Sequence, residues 1–286
     1  MKKLLILSGK GGTGKTTVAS AFIQLSNAKA YADCDVDAPN LHLITKPKGK
    51  EERTDFYGFP KAKINADQCI QCGLCLSHCR FDAIHFNNTY QVDEFACEGC
   101  RVCELVCPVA AINMIDSISG IVQLHKSETV FSTATLKMGS GNSGKLVTEV
   151  KKQLDIFVDD AEFAIIDGSP GIGCPVIASL VGVDLVLIVT EPSISGLSDL
   201  KRIVSTAQRF KTKIAVCINK ADVQPEISKH IERYCMNERL SYLGRIPYDP
   251  FVVSAVNAGK SIVEIECLAG KAVSTIYAQA FALLFP

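Results

Sequence analysis

Gly9-Lys10-Gly11-Gly12-Thr13-Gly14-Lys15-Thr16 follows an apolar run, Lys3–Leu7, and precedes a stretch with helical apolar spacing, Thr16–Leu25. The octet fits G-x-x-x-x-G-K-[ST] in the context that gives this pattern physical meaning: strand, loop, helix. Glycines let backbone N–H groups wrap phosphates, the lysine neutralises the β- and γ-phosphates, and the hydroxyl after it ligates Mg²⁺. Gly11, Gly12, Thr13, Gly14, Lys15, Thr16 and Thr17 are therefore expected to hold a nucleoside triphosphate, with Lys15 catalytic and Thr16 also on Mg²⁺.

Outward from the loop, β-rich apolar runs recur at Ala28–Ala32, Phe163–Ile166, Leu185–Thr190, Ile214–Ile218 and Tyr242–Ile246. Helical spacing lies between several of them, at Gly144–Phe157, Gly196–Phe210 and Pro225–Met236. Alternating strands and helices predict an α/β fold, a doubly wound and mostly parallel sheet. The run Ala164-Ile165-Ile166-Asp167 is an apolar strand ending in a carboxylate, Walker B in form, so Asp167 is expected on Mg²⁺. Ile218-Asn219-Lys220-Ala221-Asp222 looks like the N-K-x-D guanine motif, which leaves ATP and GTP both open at this point.

The alternation breaks between about Thr45 and Gly144. KPKGKEERTD leads into a cysteine-rich segment and SETVFSTATLKMGSGNSG leads out, and both read as polar connectors. The chain is thus expected to divide into a discontinuous nucleotide-binding domain, 1–58 and 118–286, and an inserted α+β domain, 59–117. Within the insertion, Cys69-x₂-Cys72-x₂-Cys75-x₃-Cys79 and Cys97-x₂-Cys100-x₂-Cys103-x₃-Cys107 form an internal repeat, and each matches the bacterial ferredoxin run. A single C-x-x-C would leave zinc open, but two complete four-cysteine runs point to two [4Fe–4S] clusters. In such runs the fourth cysteine crosses to the other cluster, giving one set of Cys69, Cys72, Cys75 and Cys107 and a second of Cys79, Cys97, Cys100 and Cys103. Arg80 stands where the pattern has proline. The remaining cysteines, Cys34, Cys174, Cys217, Cys235 and Cys267, have no ligand spacing, and most are expected to be small buried apolar residues.

Composition narrows the classes further. The 286 residues are 48 % hydrophobic, ample for a packed core, and thirty basic residues balance thirty acidic ones, so no global field draws nucleic acid or anionic lipid. No apolar stretch is long enough to cross a bilayer, and neither a membrane partner nor nucleic acid is expected. MKKLLIL carries too short an apolar run for a signal peptide. With thirteen cysteines, an odd number and eight of them in two regular runs, metal binding is a stronger reading than disulfides, and a cytoplasmic location follows.

Lys10-Gly11-Gly12-Thr13-Gly14-Lys15-Thr16-Thr17, Asp33-Cys34-Asp35-Val36-Asp37, Asp167-Gly168-Ser169-Pro170-Gly171 and the double cysteine run together resemble the MinD/Mrp/nitrogenase-iron-protein group of ATPases with an inserted ferredoxin domain. That resemblance implies a homodimer in which the catalytic Lys10 reaches the partner's nucleotide, with Asp35 orienting the attacking water. It also implies adenine contacts from Asn219 and from the loop with Pro247 and Tyr248, whereas Asp222 is where a guanine contact would come from. A redox or acceptor partner protein is implied too. Two functions stay open: ATP-driven dimer rearrangement that gates electron transfer through the clusters to a partner, or iron–sulfur cluster assembly, transfer or partner positioning with the clusters structural, sensory or cargo.

Overall fold

A computed structural model describes residues 1–158 and 161–286. The elements run β1 (Lys2–Leu7), α1 (Lys15–Ser26), β2 (Ala30–Asp33), α2 (His42–Thr45), β3 (Lys50–Tyr57), β4 (Lys61–Ile64), α3 (Leu74–His78), β5 (Ile84–Asn87), β6 (Thr89–Val92), α4 (Val102–Leu105), β7 (Ile112–Ile115), β8 (Ile118–Lys126) and β9 (Val130–Leu136). They continue α5 (Ser143–Phe157), β10 (Phe163–Asp167), α6 (Cys174–Leu180), β11 (Leu185–Thr190), α7 (Ile194–Gln208), β12 (Lys213–Asn219), α8 (Pro225–Asn237), β13 (Ser241–Ile246), α9 (Pro250–Asn257) and α10 (Leu268–Leu284).

Strand β1 is apolar on both faces, as a central parallel strand must be. Leu5 and Leu7 enter one core with Leu146 and Val150 of α5 and Ile203 of α7, while Leu4 and Ile6 enter a second with Phe22 of α1 and Val273 and Ile276 of α10. Between the helical layers lies a nine-stranded sheet in the order β13-β12-β11-β1-β10-β2-β9-β8-β3. Its pairs from β13 to β9 are parallel, and only β9/β8 and β8/β3 are antiparallel. This is an α/β P-loop fold with a large, mostly parallel sheet.

Local chemistry starts two of the helices, α7 where the apolar spacing predicts one and α9 where it does not. Ser193 Oγ accepts from Gly196 N at 2.9 Å to cap α7, and Asp249 accepts from Phe251 N at 3.0 Å ahead of Pro250 in α9. Among the described residues no helix is long and apolar enough to cross a membrane. Helix α10 instead buries Ala269, Val273, Ile276, Ala280 and Leu284 against the sheet.

The two polar connectors are a correction. Most of KPKGKEERTD is strand β3, and VFSTATL is β9, lying in the sheet between β2 and β8. Ser132 of β9 is buried despite its hydroxyl, because the ladder satisfies the backbone and Ser132 Oγ donates to Val150 O at 2.9 Å. Polar composition hid strands whose order comes from their neighbours.

Between β3 and β8 the chain forms two small antiparallel pairs, β4/β7 and β5/β6, with α3 and α4. Its internal repeat extends to the backbone, with the second half 28 positions on (Cys69 to Cys97). Asn65 and Asp93 each accept from the N–H two residues later, at 3.0 and 2.8 Å, and Cys69 N and Cys97 N bond back to their carbonyls. Positive φ recurs at Gln71 and Gly99, at Gly73 and Arg101, and at Asp82 and Ala110.

Candidate nucleotide site and cysteine segment

The loop 8–14 leaves β1 at the carboxyl end of the sheet, where open α/β sheets hold ligands. Gly14, at φ 91°, turns the loop into α1, and a Cβ there would run into the Asn219 side chain. Asn219 Nδ2 donates to Thr13 O at 2.7 Å, and Lys220 Nζ donates to Gly12 O at 3.1 Å, so the end of β12 straps the loop from behind.

Lys15 Nζ lies 2.5 Å from Asp167 Oδ1, and Thr16 Oγ1 donates to Asp167 Oδ2 at 2.6 Å. Lys15 is 6 % exposed and Asp167 fully buried. Burial works against the Lys15 charge, but Asp167, with Asp33 and Asp35 behind it, outweighs burial and raises the lysine pKa. Register sets Asp33 of β2 beside Asp167 of β10. Asp33 Oδ2 accepts from Asn40 N and Leu41 N, both at 2.9 Å, and Oδ1 from Asp35 N at 3.0 Å, which folds the segment after β2 over the loop. Burial, and then the Asp167 charge, push the Asp33 carboxyl up; burial likewise pushes Asp35 up to about 6.

Lys15, Thr16 and Asp35 line a cleft with about 1130 Å³ of atom-free space, together with the rest of Gly11 through Thr17, Asp37 and Ser169, while Asp33 and Asp167 lie behind its wall. The buried Thr13 hydroxyl has no partner among the described residues, and no group of three or more His, Cys, Asp or Glu is set to hold a metal ion by itself. The orphaned Thr13 hydroxyl fits a nucleotide phosphate, and Thr16 beside Asp167 fits Mg²⁺, which takes one or two carboxylates plus phosphates rather than a complete protein cage. On the other side, Gly171 N donates to Ser8 O at 2.9 Å, bringing the chain after Asp167 against the loop.

A second cavity of about 680 Å³ adjoins the loop, lined by Gly12, Thr17 and Asn219 and walled by Val252, Val253, Val256 and Ile262. Its apolar wall suits a base, and the wall residues Val252, Val253, Val256 and Ile262 carry no local motif. Pro247, Tyr248 and Asp222 do not line it: Tyr248 is 54 % exposed, and Asp222 Oδ1 accepts from Tyr248 N at 2.6 Å, tying down its own loop. Lys10 Nζ lies 2.5 Å from Glu191 Oε1 and 3.2 Å from Ser195 Oγ of its own chain.

The eight clustered thiols separate into two sets of four. Cys69, Cys72, Cys75 and Cys107 line one small pocket with Ile64 and Ile112, and Cys79, Cys97, Cys100 and Cys103 line another with Ala62 and Met114. Among the described residues no group of three or more His, Cys, Asp or Glu is set to hold a metal ion. Of the other cysteines, Cys34, Cys217, Cys235 and Cys267 are buried and Cys174 is exposed.

A glycine loop ending in a lysine that is paired to the last carboxylate of a neighbouring parallel strand defines a P-loop nucleotide-binding protein. More narrowly, the chain belongs to the CbiA family, the CobQ/CobB/MinD/ParA nucleotide binding domain, whose model matches residues 4–262. It is a MinD/ParA-type ATPase and hydrolyses ATP with Mg²⁺. An uncharacterised protein of Methanocaldococcus jannaschii is 36 % identical over 76 % of this chain and 78 % of its own length. An iron–sulfur cluster carrier protein of Pyrococcus horikoshii is 25 % identical over 92 % of this chain and 80 % of its own. The crystal structure of the Pyrococcus furiosus cell division ATPase MinD shares the fold at 18 % identity and a TM-score of 0.57, covering 99 % of both chains.

Proposed function

We propose that this ATPase carries iron–sulfur clusters as cargo on residues 59–117 and couples ATP hydrolysis to their delivery to an acceptor protein. The observation that carries the reading is the sorting of eight thiols into two sets of four about separate cavities. Four thiolates are the ligand complement of one [4Fe–4S] cubane, and the crossed grouping is that of two-cluster ferredoxins. On this reading residues 59–117 are a ferredoxin-like domain inserted into a nucleotide-binding domain of 1–58 and 118–286. The relative named an iron–sulfur cluster carrier, aligned over nearly the whole chain, favours cargo.

In the ATPase cycle the loop N–H groups and Lys15 hold the β- and γ-phosphates, and Thr16 and Asp167 hold Mg²⁺. Mg²⁺ supplies charge neutralisation for the transferring phosphoryl group. Asp35 orients the attacking water. Asn219 and the valine-walled cavity take adenine. Two chains pair through their nucleotide sites, and Lys10 crosses to the partner's phosphates.

Electron transfer is the second reading, favoured by Cys75 and Cys97 being buried, as ligands of a resident cluster would be. Anaerobic reconstitution separates the two: cluster transfer to an apo-acceptor and electron delivery to a dye are each followed with and without Mg-ATP. Acceleration of transfer by ATP is the expected result. Clusters that stay in place while ATP changes electron delivery would replace the first reading with the second.

A further inference from the structure

At the far edge of the sheet, away from the P-loop and the cysteines, β3, β8 and β9 present one face to a cleft with about 1040 Å³ of atom-free space. Register builds its floor: Glu51 lies opposite His125 and Arg53 opposite Gln123 across β3/β8, and Gln123 opposite Thr133 across β8/β9. Strand alternation sends these side chains to one face. Val122 and Ala134, on the other face, join the core beneath α5. Pro39 and His42 wall the cleft from the side of the segment that follows β2.

The polar groups here divide into engaged and free. Glu51 accepts from Arg53 Nε at 2.8 Å and Nη2 at 3.2 Å and from Gln123 Nε2 at 2.6 Å, so the one carboxylate of the cleft is already satisfied. Among the described residues the imidazoles of His42 and His125 make no hydrogen bond, Arg53 keeps Nη1 unused, and the buried Thr133 hydroxyl has no partner. The uncommitted groups are thus the Arg53 guanidinium N–H, the Thr133 hydroxyl and two imidazoles, all able to donate, and such a set recognises an oxyanion. The one carboxylate that lines the cleft, Glu51, is engaged by Arg53 and Gln123, so no free carboxylate is offered to a cation.

We propose that this cleft binds a small metabolite through a carboxylate or phosphate group and that its occupant acts on ATP turnover. The route is short. Pro39 lines this cleft while its neighbours Ala38 and Asn40, with Asp35 and Asp37, line the phosphate cleft. The backbone N–H groups of Asn40 and Leu41 hold Asp33, so a ligand that fixes Pro39 and His42 fixes the segment that closes the nucleotide site.

The test uses the full chain with ADP and Mg²⁺ filling the P-loop, titrated separately with inorganic phosphate and with citrate while histidine ring resonances are followed by NMR. The His42 and His125 signals should move saturably with a Kd of about 1 mM or lower, while His230 on α8 stays still. Thr133→Val and His125→Gln should each weaken binding by about tenfold. A response to phosphate alone assigns a phosphate-bearing ligand, and a response to citrate alone a carboxylate-bearing one. No movement with either probe up to about 50 mM, or movement that both variants leave unchanged, overturns the site. A bound probe that leaves steady-state ATP turnover unaltered overturns the coupling to the nucleotide site, whatever the fate of the cluster-carrier reading.

Discussion

Lys10 Nζ and Glu191 Oε1 lie 2.5 Å apart within one chain, and Glu191 Oε2 sits 3.8 Å from Lys220, whose Nζ holds the Gly12 carbonyl. Glu191 thus engages the lysine that the dimer reading sends to the partner's nucleotide. Lys10→Ala should leave ADP affinity within about threefold and lower turnover by about 10³-fold. Glu191→Gln should release Lys10 and shift half-maximal ATPase activity to lower protein concentration. An unchanged concentration dependence in Glu191→Gln would show that the pair does not restrain dimerisation.

Asp167 is the only carboxylate bonded to both Lys15 and Thr16 among the described residues. Asp167→Asn leaves the buried Lys15 charge without its nearest partner, at a cost of about 3–5 kcal/mol, which a lowered thermal midpoint would record. Thr16→Ala keeps that ion pair and should fold normally. Its stabilisation by ADP, measured by calorimetry, should lose its dependence on Mg²⁺, and a retained Mg²⁺ response would remove Thr16 from the metal site.

The thiol sets cross the sequence order, with Cys107 grouped with Cys69 and Cys79 with Cys97. On anaerobic reconstitution the wild type should hold about eight irons, and Cys107→Ser about four. Adding Cys69→Ser to Cys107→Ser should remove little more, whereas adding Cys103→Ser should empty both sets. The reverse outcome, by iron assay and electron paramagnetic resonance, would mean that each run serves a single site.

Arg245 Nε and Nη2 donate to the two oxygens of Glu232 at 2.7 and 2.8 Å, and Tyr242 Oη donates at 2.7 Å, tying α8 to β13. The bond from Arg245 holds the Glu232 carboxyl below its ordinary value of 4.5. A carboxyl depressed in the fold contributes stability that is present above its unfolded pKa and is lost as pH falls through the folded one. The pair is partly solvated, so about 0.5–1 kcal/mol is at stake. Urea unfolding between pH 7 and pH 3 should lose that increment in the wild type, and Glu232→Gln should flatten this part of the profile.

What the sequence determined by itself is what contiguous residues enforce. The P-loop is such a case, because strand, glycine turn, lysine and helix follow one another within a few residues and the phosphate cradle is made of their own backbone. The cysteine spacing is another, since two-residue gaps put three thiols on one turn and leave the fourth outside it. The alternation that predicts the parallel sheet is also local, a property of each strand and each helix face.

Only the tertiary structure decided what depends on residues far apart in the chain. Glu191 meets Lys10 because β11 pairs beside β1, and Val252 and Ile262 wall the cavity behind Thr17 because the chain after β13 returns over the sheet; no motif marks Val252 or Ile262. The polar strands β3 and β9 were hidden for the same reason, since their order comes from the ladders that β2 and β8 offer rather than from propensity. The cleft at the sheet edge exists only once those strands are aligned, for Arg53, His125 and Thr133 have no relation in the sequence and acquire one through register, while α2 brings His42 to its rim.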